Sequence, residues 1–193
     1  MYSKCAVRFS NLTWVIASTT EFAFQVEQYA ILDLDGDGQT ELVLKMEGQG
    51  GFYVFRKMDK WLYGFWEVPR GMMNLKADGT FEGSSGAADW GFYRVTAFNV
   101  EGMLHEHFTW CESSWTDEVY EELYFVDNAP ATQREFEAAA AALRAKEDAP
   151  WRPWTGPLGY PEEAKAWLDP VVTEWLGPVE TPKVTAVDGA ENW

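Results

Sequence analysis

Asp33, Asp35 and Asp37 stand at alternate places in the run Asp33-Leu34-Asp35-Gly36-Asp37-Gly38-Gln39-Thr40-Glu41. Three like charges so close repel one another unless a cation lies between them. Gly38, at the sixth place of the run, supplies the sharp turn that an acidic ion-binding loop needs. The flanks are short apolar runs, Tyr29-Ala30-Ile31-Leu32 before and Leu42-Val43-Leu44 after, which is the pattern of strands. The chain therefore climbs one strand, rounds an acidic tip and descends the next. A hard cation takes several oxygen ligands from one such segment. Asp33, Asp35 and Asp37 offer three carboxylates, Gln39 a backbone carbonyl, and Glu41 a fifth ligand, directly or through water. An EF-hand would place a bidentate Glu at its twelfth position, where Leu44 stands, so the loop is a calcium-loop hairpin of another kind. The plainer alternative is an Asx-rich acidic turn. No His or second carboxylate cluster marks an open catalytic position, so the expected Ca2+ is structural.

Aromatic residues make up 16% of the chain, with 11 Trp, 8 Tyr and 12 Phe. They fall in runs such as Phe52-Tyr53-Val54-Phe55, Trp61-Leu62-Tyr63-Gly64-Phe65-Trp66 and Trp90-Gly91-Phe92-Tyr93. Aromatic side chains favour strands and fill the cores between them. The pattern predicts strands near 22–32, 40–46, 51–57, 60–67, 71–76, 90–98, 103–110 and 118–126. Their short turns, among them Asp78-Gly79 and Asn99-Val100-Glu101-Gly102, predict hairpins and hence an antiparallel β-meander. Gly83-Ser84-Ser85-Gly86-Ala87-Ala88 reads as a longer flexible loop; its offsets are wrong for a G-x-S-x-G nucleophile elbow.

After Pro130 the period changes. Thr132-Gln133-Arg134-Glu135 is a capping box, opening a helix expected over 132–148 with Phe136, Ala140 and Leu143 on one face against the sheet. Pro150 ends it. A Trp/Pro segment follows, then a short helix over 161–168, another over 170–176 before Gly177-Pro178, and a mobile tail from about 180. The expected fold class is α+β and mostly β: one domain over 1–158, with 159–193 as a Trp/Pro-rich helical appendage and tail.

The stretch Tyr29 to Leu44 resembles the calcium-bearing segment of small secreted or envelope proteins of gut Firmicutes, which pair such a loop with a meander of aromatic strands. The similarity continues through Asp78-Gly79-Thr80, the Gly83–Ala88 loop and the late helix with Trp151 to Leu158 behind it. The loop also resembles the FG-GAP calcium hairpin, whose ninth place is usually Asp and here is Glu41. The resemblance implies fold and ion. It implies no reaction, because those proteins have no assigned activity.

The formal charge is −16, from 31 acidic and 15 basic residues. That field disfavours direct binding to nucleic acid, resists anionic membranes and steers the protein toward basic partners. No run of about 18 apolar residues exists to span a membrane. The stretch Met1 to Thr20 is too broken by Ser10, Asn11 and Thr13 to serve as a signal peptide, so the expected location is cytoplasmic, or extracellular or envelope if the start lies elsewhere. Cys5 and Cys111 have no zinc spacing, and their pairing is left open. His105 and His107, with Cys111 four residues on, are expected on one strand face; a zinc or copper site there lacks a further ligand. No catalytic residue stands out, and an enzyme is the less favoured expectation. The favoured function is a non-catalytic, calcium-binding acidic protein acting through protein–protein binding, for example as a bacterial or phage inhibitor of a nucleic-acid enzyme, in the manner of an anti-CRISPR protein. The alternatives are an extracellular or envelope module for glycans or proteins, and a calcium-scaffolded hydrolase.

Overall fold

The computed structural model describes residues 7–9, 26–58, 61–84, 89–116, 119–155 and 161–168. The fold is α+β and mostly β, with the strands shared between two antiparallel sheets. The first sheet contains β1 (Val7–Phe9), β2 (Val26–Leu32), β3 (Glu41–Met46), β4 (Phe52–Met58), β5 (Trp61–Glu67) and β11 (Arg152–Pro153), in the order β1-β5-β4-β3-β2-β11. The second contains β6 (Phe81–Ser84), β7 (Trp90–Asn99), β8 (Gly102–Thr116), β9 (Val119–Val126) and β10 (Ala129–Ala131), in the order β10-β9-β8-β7-β6. The expected meander is present as β2–β5 in one sheet and β6–β10 in the other, and it breaks between β5 and β6; β1 is added beside β5 and β11 beside β2.

Why it breaks there is visible in residues 68–80. The sequence pattern predicts a strand at 71–76. The structure has only two isolated bridges in that stretch, Met73 to Glu82 and Lys76 to Asp148, with Asn74 between them at φ 49°. A left-handed residue cannot continue a pleated strand. A strand lies instead at β6, whose last two residues, Gly83 and Ser84, fall in what reads as a Ser/Gly loop. Gly83 is needed there because a Cβ on it would sit 2.8 Å from the Tyr93 ring.

Alternation along the first sheet divides its residues between two cores. Ala30, Val43, Val54 and Phe65 are paired in register across four strands and point inward. They join Phe81, Val95 and Met103 of the second sheet, with Met72 and Leu75 from the crossing segment. The other face carries Tyr29, Leu42, Leu44 and Phe55. Sealing that face is a helix over 162–168, whose Ala164 and Leu168 are fully buried, with Trp154 and Trp167 packed alongside. Residues 161–168, read from sequence as part of an appendage, therefore help bury the first sheet. This two-sided burial is why Leu42-Val43-Leu44 at the centre of β3 are apolar without alternation. The expected helix at 170–176, the tail, the Met1 to Thr20 stretch apart from β1, and Cys5 lie outside the described residues.

Helix α1 (Gln133–Arg144) covers the second sheet. Thr132 caps it, and the capping box closes as expected, with Glu135 Oε2 accepting from the Thr132 N–H at 2.8 Å. Phe136 and Ala140 are buried, Phe136 against Trp90 and Tyr124 at ring separations of 5.0 and 5.4 Å. The helix stops short of the expected end. Lys76 Nζ donates to the Arg144 carbonyl at 2.8 Å and to Asp148, which satisfies an otherwise orphaned helix terminus and turns the chain back.

Candidate metal centre

The acidic run forms the loop between β2 and β3, whose last paired residues are Leu32 and Glu41. Two backbone features close it. Asp33 accepts from the Gly36 N–H at 2.7 Å and, with its other oxygen, from the Gly38 N–H at 2.8 Å. Gly36 and Gly38 stand at φ 77° and 88°, where an L side chain is strained even though a Cβ would meet nothing. The loop is also seated on the core. Leu34, between two of the acids, is 3% exposed, and Gly79 packs so tightly that a Cβ on it would lie 2.6 Å from the Leu34 carbonyl oxygen.

Asp33, Asp35 and Asp37 converge as the sequence predicts. One carboxylate oxygen from each lies within 4.8 Å of the others, a group able to hold a metal ion. Gln39 stands beside them, its N–H donating to Asp37 Oδ1 at 2.8 Å and its side-chain amide to Asp37 Oδ2 at 3.3 Å. Glu41 does not join the group. It is fully buried, accepting from the Leu34 N–H at 2.8 Å through Oε2 and from Arg56 Nη1 through Oε1. An inward register explains this: Glu41 is paired with Leu32 and shares the core face of β3 with Val43.

The residue that sequence reasoning misses is Arg56. It projects from the inward face of β4, 5% exposed, and its guanidinium lies 5.2 Å from the Phe98 ring of the second sheet. It hydrogen-bonds Glu41 and Asp37 and comes within 3.8 Å of Asp35. The available signal was a single Arg at an inward position of the strand Phe52-Tyr53-Val54-Phe55-Arg56, facing an acid at the start of its neighbour. Four carboxylates and one guanidinium leave a formal charge of −3 (−4 + 1) at this end of the sheet.

The electrostatics differ residue by residue. Burial raises Asp35 above the ordinary carboxylate value, with Arg56 acting against it. Asp37 is lowered, chiefly by its hydrogen bond from Arg56. Burial pushes Glu41 up to about 7, against the Leu34 and Arg56 hydrogen bonds. For Arg56 burial acts downward, and the hydrogen bonds to Asp37 and Glu41 outweigh it, so its pKa rises. An acid-only group of this kind suits a hard, oxygen-seeking cation and offers neither thiolate nor imidazole to a softer one.

The histidine and cysteine cluster does not assemble. His105 lies edge-on to Phe81 and Tyr93, and His107 stacks on Trp110 with centroids 4.0 Å apart. A register shift beside Phe92 and Tyr93 then changes the alternation along β8. Cys111 consequently pairs with Trp90 and Tyr124 under α1, on the opposite face from the two histidines. Among the described residues, no helix is long and apolar enough to cross a membrane. Comparison of the chain with protein-family models, with curated proteins and with solved structures finds no match to any of them.

Proposed function

We propose that the protein is a non-catalytic, calcium-stabilised binding protein whose acidic surface engages a basic protein partner. The convergence of Asp33, Asp35 and Asp37 at the tip of a hairpin carries the ion reading. Calcium is favoured over magnesium because a loop of clustered carboxylates supplies the many flexible oxygen ligands that calcium takes. The ion would neutralise most of the local charge and leave Arg56 to pair with Glu41. Support for the partner comes from the formal charge of −16 and from the hairpin of β8 and β9. There Leu123 is 38% exposed on one face, beside Glu112 and Glu121, and Tyr120 is 46% exposed on the other face, beside Glu122. An apolar anchor with acids beside it, as on either face, matches a basic surface, and the charge would speed association while the anchor slows release. A basic, nucleic-acid-handling enzyme held in an inhibited state is the form of partner that this chemistry suits best.

The aromatic ladder on the other part of the second sheet does not make a flat sugar platform. Trp110 stacks on Phe125 at 4.4 Å and 9°, and His107 on Trp110 at 17°, so the ring faces are spent on one another. Two measurements test the proposal. Calcium titration by calorimetry should show a single site that vanishes in Asp35→Ala/Asp37→Ala; an unchanged isotherm refutes the ion. Binding to an isolated basic partner should weaken in Tyr120→Ala or in Leu123→Ala, according to the face engaged, and slow with rising salt; a salt-independent association rate refutes the charge-driven surface.

A further inference from the structure

A second site candidate lies between the sheets at the other end of β2 and β3. Gln28 and Lys45 are paired there, four residues along the strands from the Leu32–Glu41 pair, or about 13 Å at the rise of a β-strand. With the crossing segment and the chain after α1 they bound an open cleft of about 250 Å³. Its apolar floor is Phe52, Met72 and Leu75, all buried, and one wall is the half-buried Trp151, tilted at 39° to Phe52 with ring centroids 6.3 Å apart. The rim is polar: Gln28, Lys45, Asn74 and Asp148. An apolar base with a few converging polar groups is the make-up of a ligand site, and the volume falls just below the usual range of about 300–1,000 Å³.

The charges around the cleft cancel. Lys45 Nζ lies 3.1 Å from Glu27 and 3.2 Å from Gln28 Oε1, while Asp148 receives Lys76. A charged ligand would have to break one of these pairs. What remains is directional and neutral. With its oxygen engaged by Lys45, Gln28 has its amide N–H groups to offer; Asn74, whose amide nitrogen donates to Glu82, has its oxygen. Asp148 adds a second acceptor oxygen. Adjacent hydroxyl groups both donate and accept, so alternating donors and acceptors match a diol, and the Trp151 ring offers an apolar wall to the C–H face of a small ring. We propose that this cleft binds a neutral polyhydroxylated ligand the size of one sugar ring. The inference does not depend on the ion or on the protein partner.

The test is a titration of the full chain, followed by ¹H–¹⁵N NMR, with glucose, galactose, mannose and N-acetylglucosamine. Glucuronate, glucosamine and glycine serve as charged comparators. The expected result is saturable millimolar binding of at least one neutral sugar, moving the Trp151 indole N–H and the Gln28 and Asn74 side-chain signals. Gln28→Ala and Asn74→Gly, the latter keeping the backbone free to adopt positive φ, should each weaken it about tenfold while the amide spectrum away from the cleft stays that of the folded wild type. The proposal is overturned by tighter binding of a charged comparator, by the absence of saturable shifts at these residues, or by wild-type affinity in both variants.

Discussion

Replacing Arg56 by Met should destabilise the protein by about 3–5 kcal/mol in chelator, the usual loss when one member of a buried ion pair is removed. The magnitude follows from where the charge is left. Glu41 is fully buried, and its side chain and that of Arg56 are 0% and 6% exposed, so water cannot replace the lost guanidinium. Asp35, also nearly buried at 7%, loses its nearest cation at the same time. Removing both charges is another matter, because a buried pair replaced by apolar or neutral groups of similar volume is often close to neutral. Glu41→Gln/Arg56→Met should therefore be more stable than Arg56→Met alone, and the cycle through Glu41→Gln should give a coupling of at least about 1 kcal/mol. Urea unfolding monitored by tryptophan fluorescence measures all four proteins, with constant m-values required for comparison. A cost below about 1 kcal/mol for Arg56→Met, or additive single effects, would refute the placement of this pair in the core.

Three further outcomes are expected. Calcium at a hundredfold excess over its Kd should add about 2.7 kcal/mol, or roughly 5–10 °C in Tm, and chelator should remove it; coincident melts would count against the ion. Phe136→Ala should cost about 3–5 kcal/mol through loss of its contacts with Trp90 and Tyr124, and a loss under 1 kcal/mol in urea unfolding would show α1 to be peripheral. Burial lowers the pKa of His105 from its ordinary 6.5, so the unfolded chain takes up the proton first. The His105 contribution is then constant above that value and is lost as pH falls below it, so the wild-type minus His105→Phe stability difference should shrink as pH falls from 7 to 5; a difference that instead grows as pH falls contradicts the burial.

Local signals in the sequence proved faithful where neighbours in the chain are neighbours in space. The hairpin about Asp33–Glu41, the strand runs of aromatic residues and the Thr132 capping box depend on short-range chemistry, and all three are present. What escaped depends on long-range contacts. β6 is a strand because the Gly83 backbone can lie against Tyr93, a contact that no local propensity encodes. The register shift that removes Cys111 from the histidine face is likewise a property of the pairing between β7 and β8. Glu41 read as a ligand because its offset in the loop fits one. Its inward direction is set by β3 alternation, and its partner comes from another strand fifteen positions away.

The same geometry dictates how events in the loop would reach the rest of the fold. Leu34 is a core residue inserted between two of the acids, so the loop cannot unfold without opening the inward cluster. Its seat is the Asp78-Gly79 turn, and Asp78 is tied to Lys146, just beyond α1, at 2.7 Å. On the other side Arg56 touches Phe98, and Phe98 lies 5.6 Å from Phe65 across the two sheets. Order in the loop is thereby linked to both sheets and to the end of the helix through packed groups. A cation that fixes the three aspartates would stabilise the whole domain, and its effect should appear in global unfolding rather than only in exchange of loop amides.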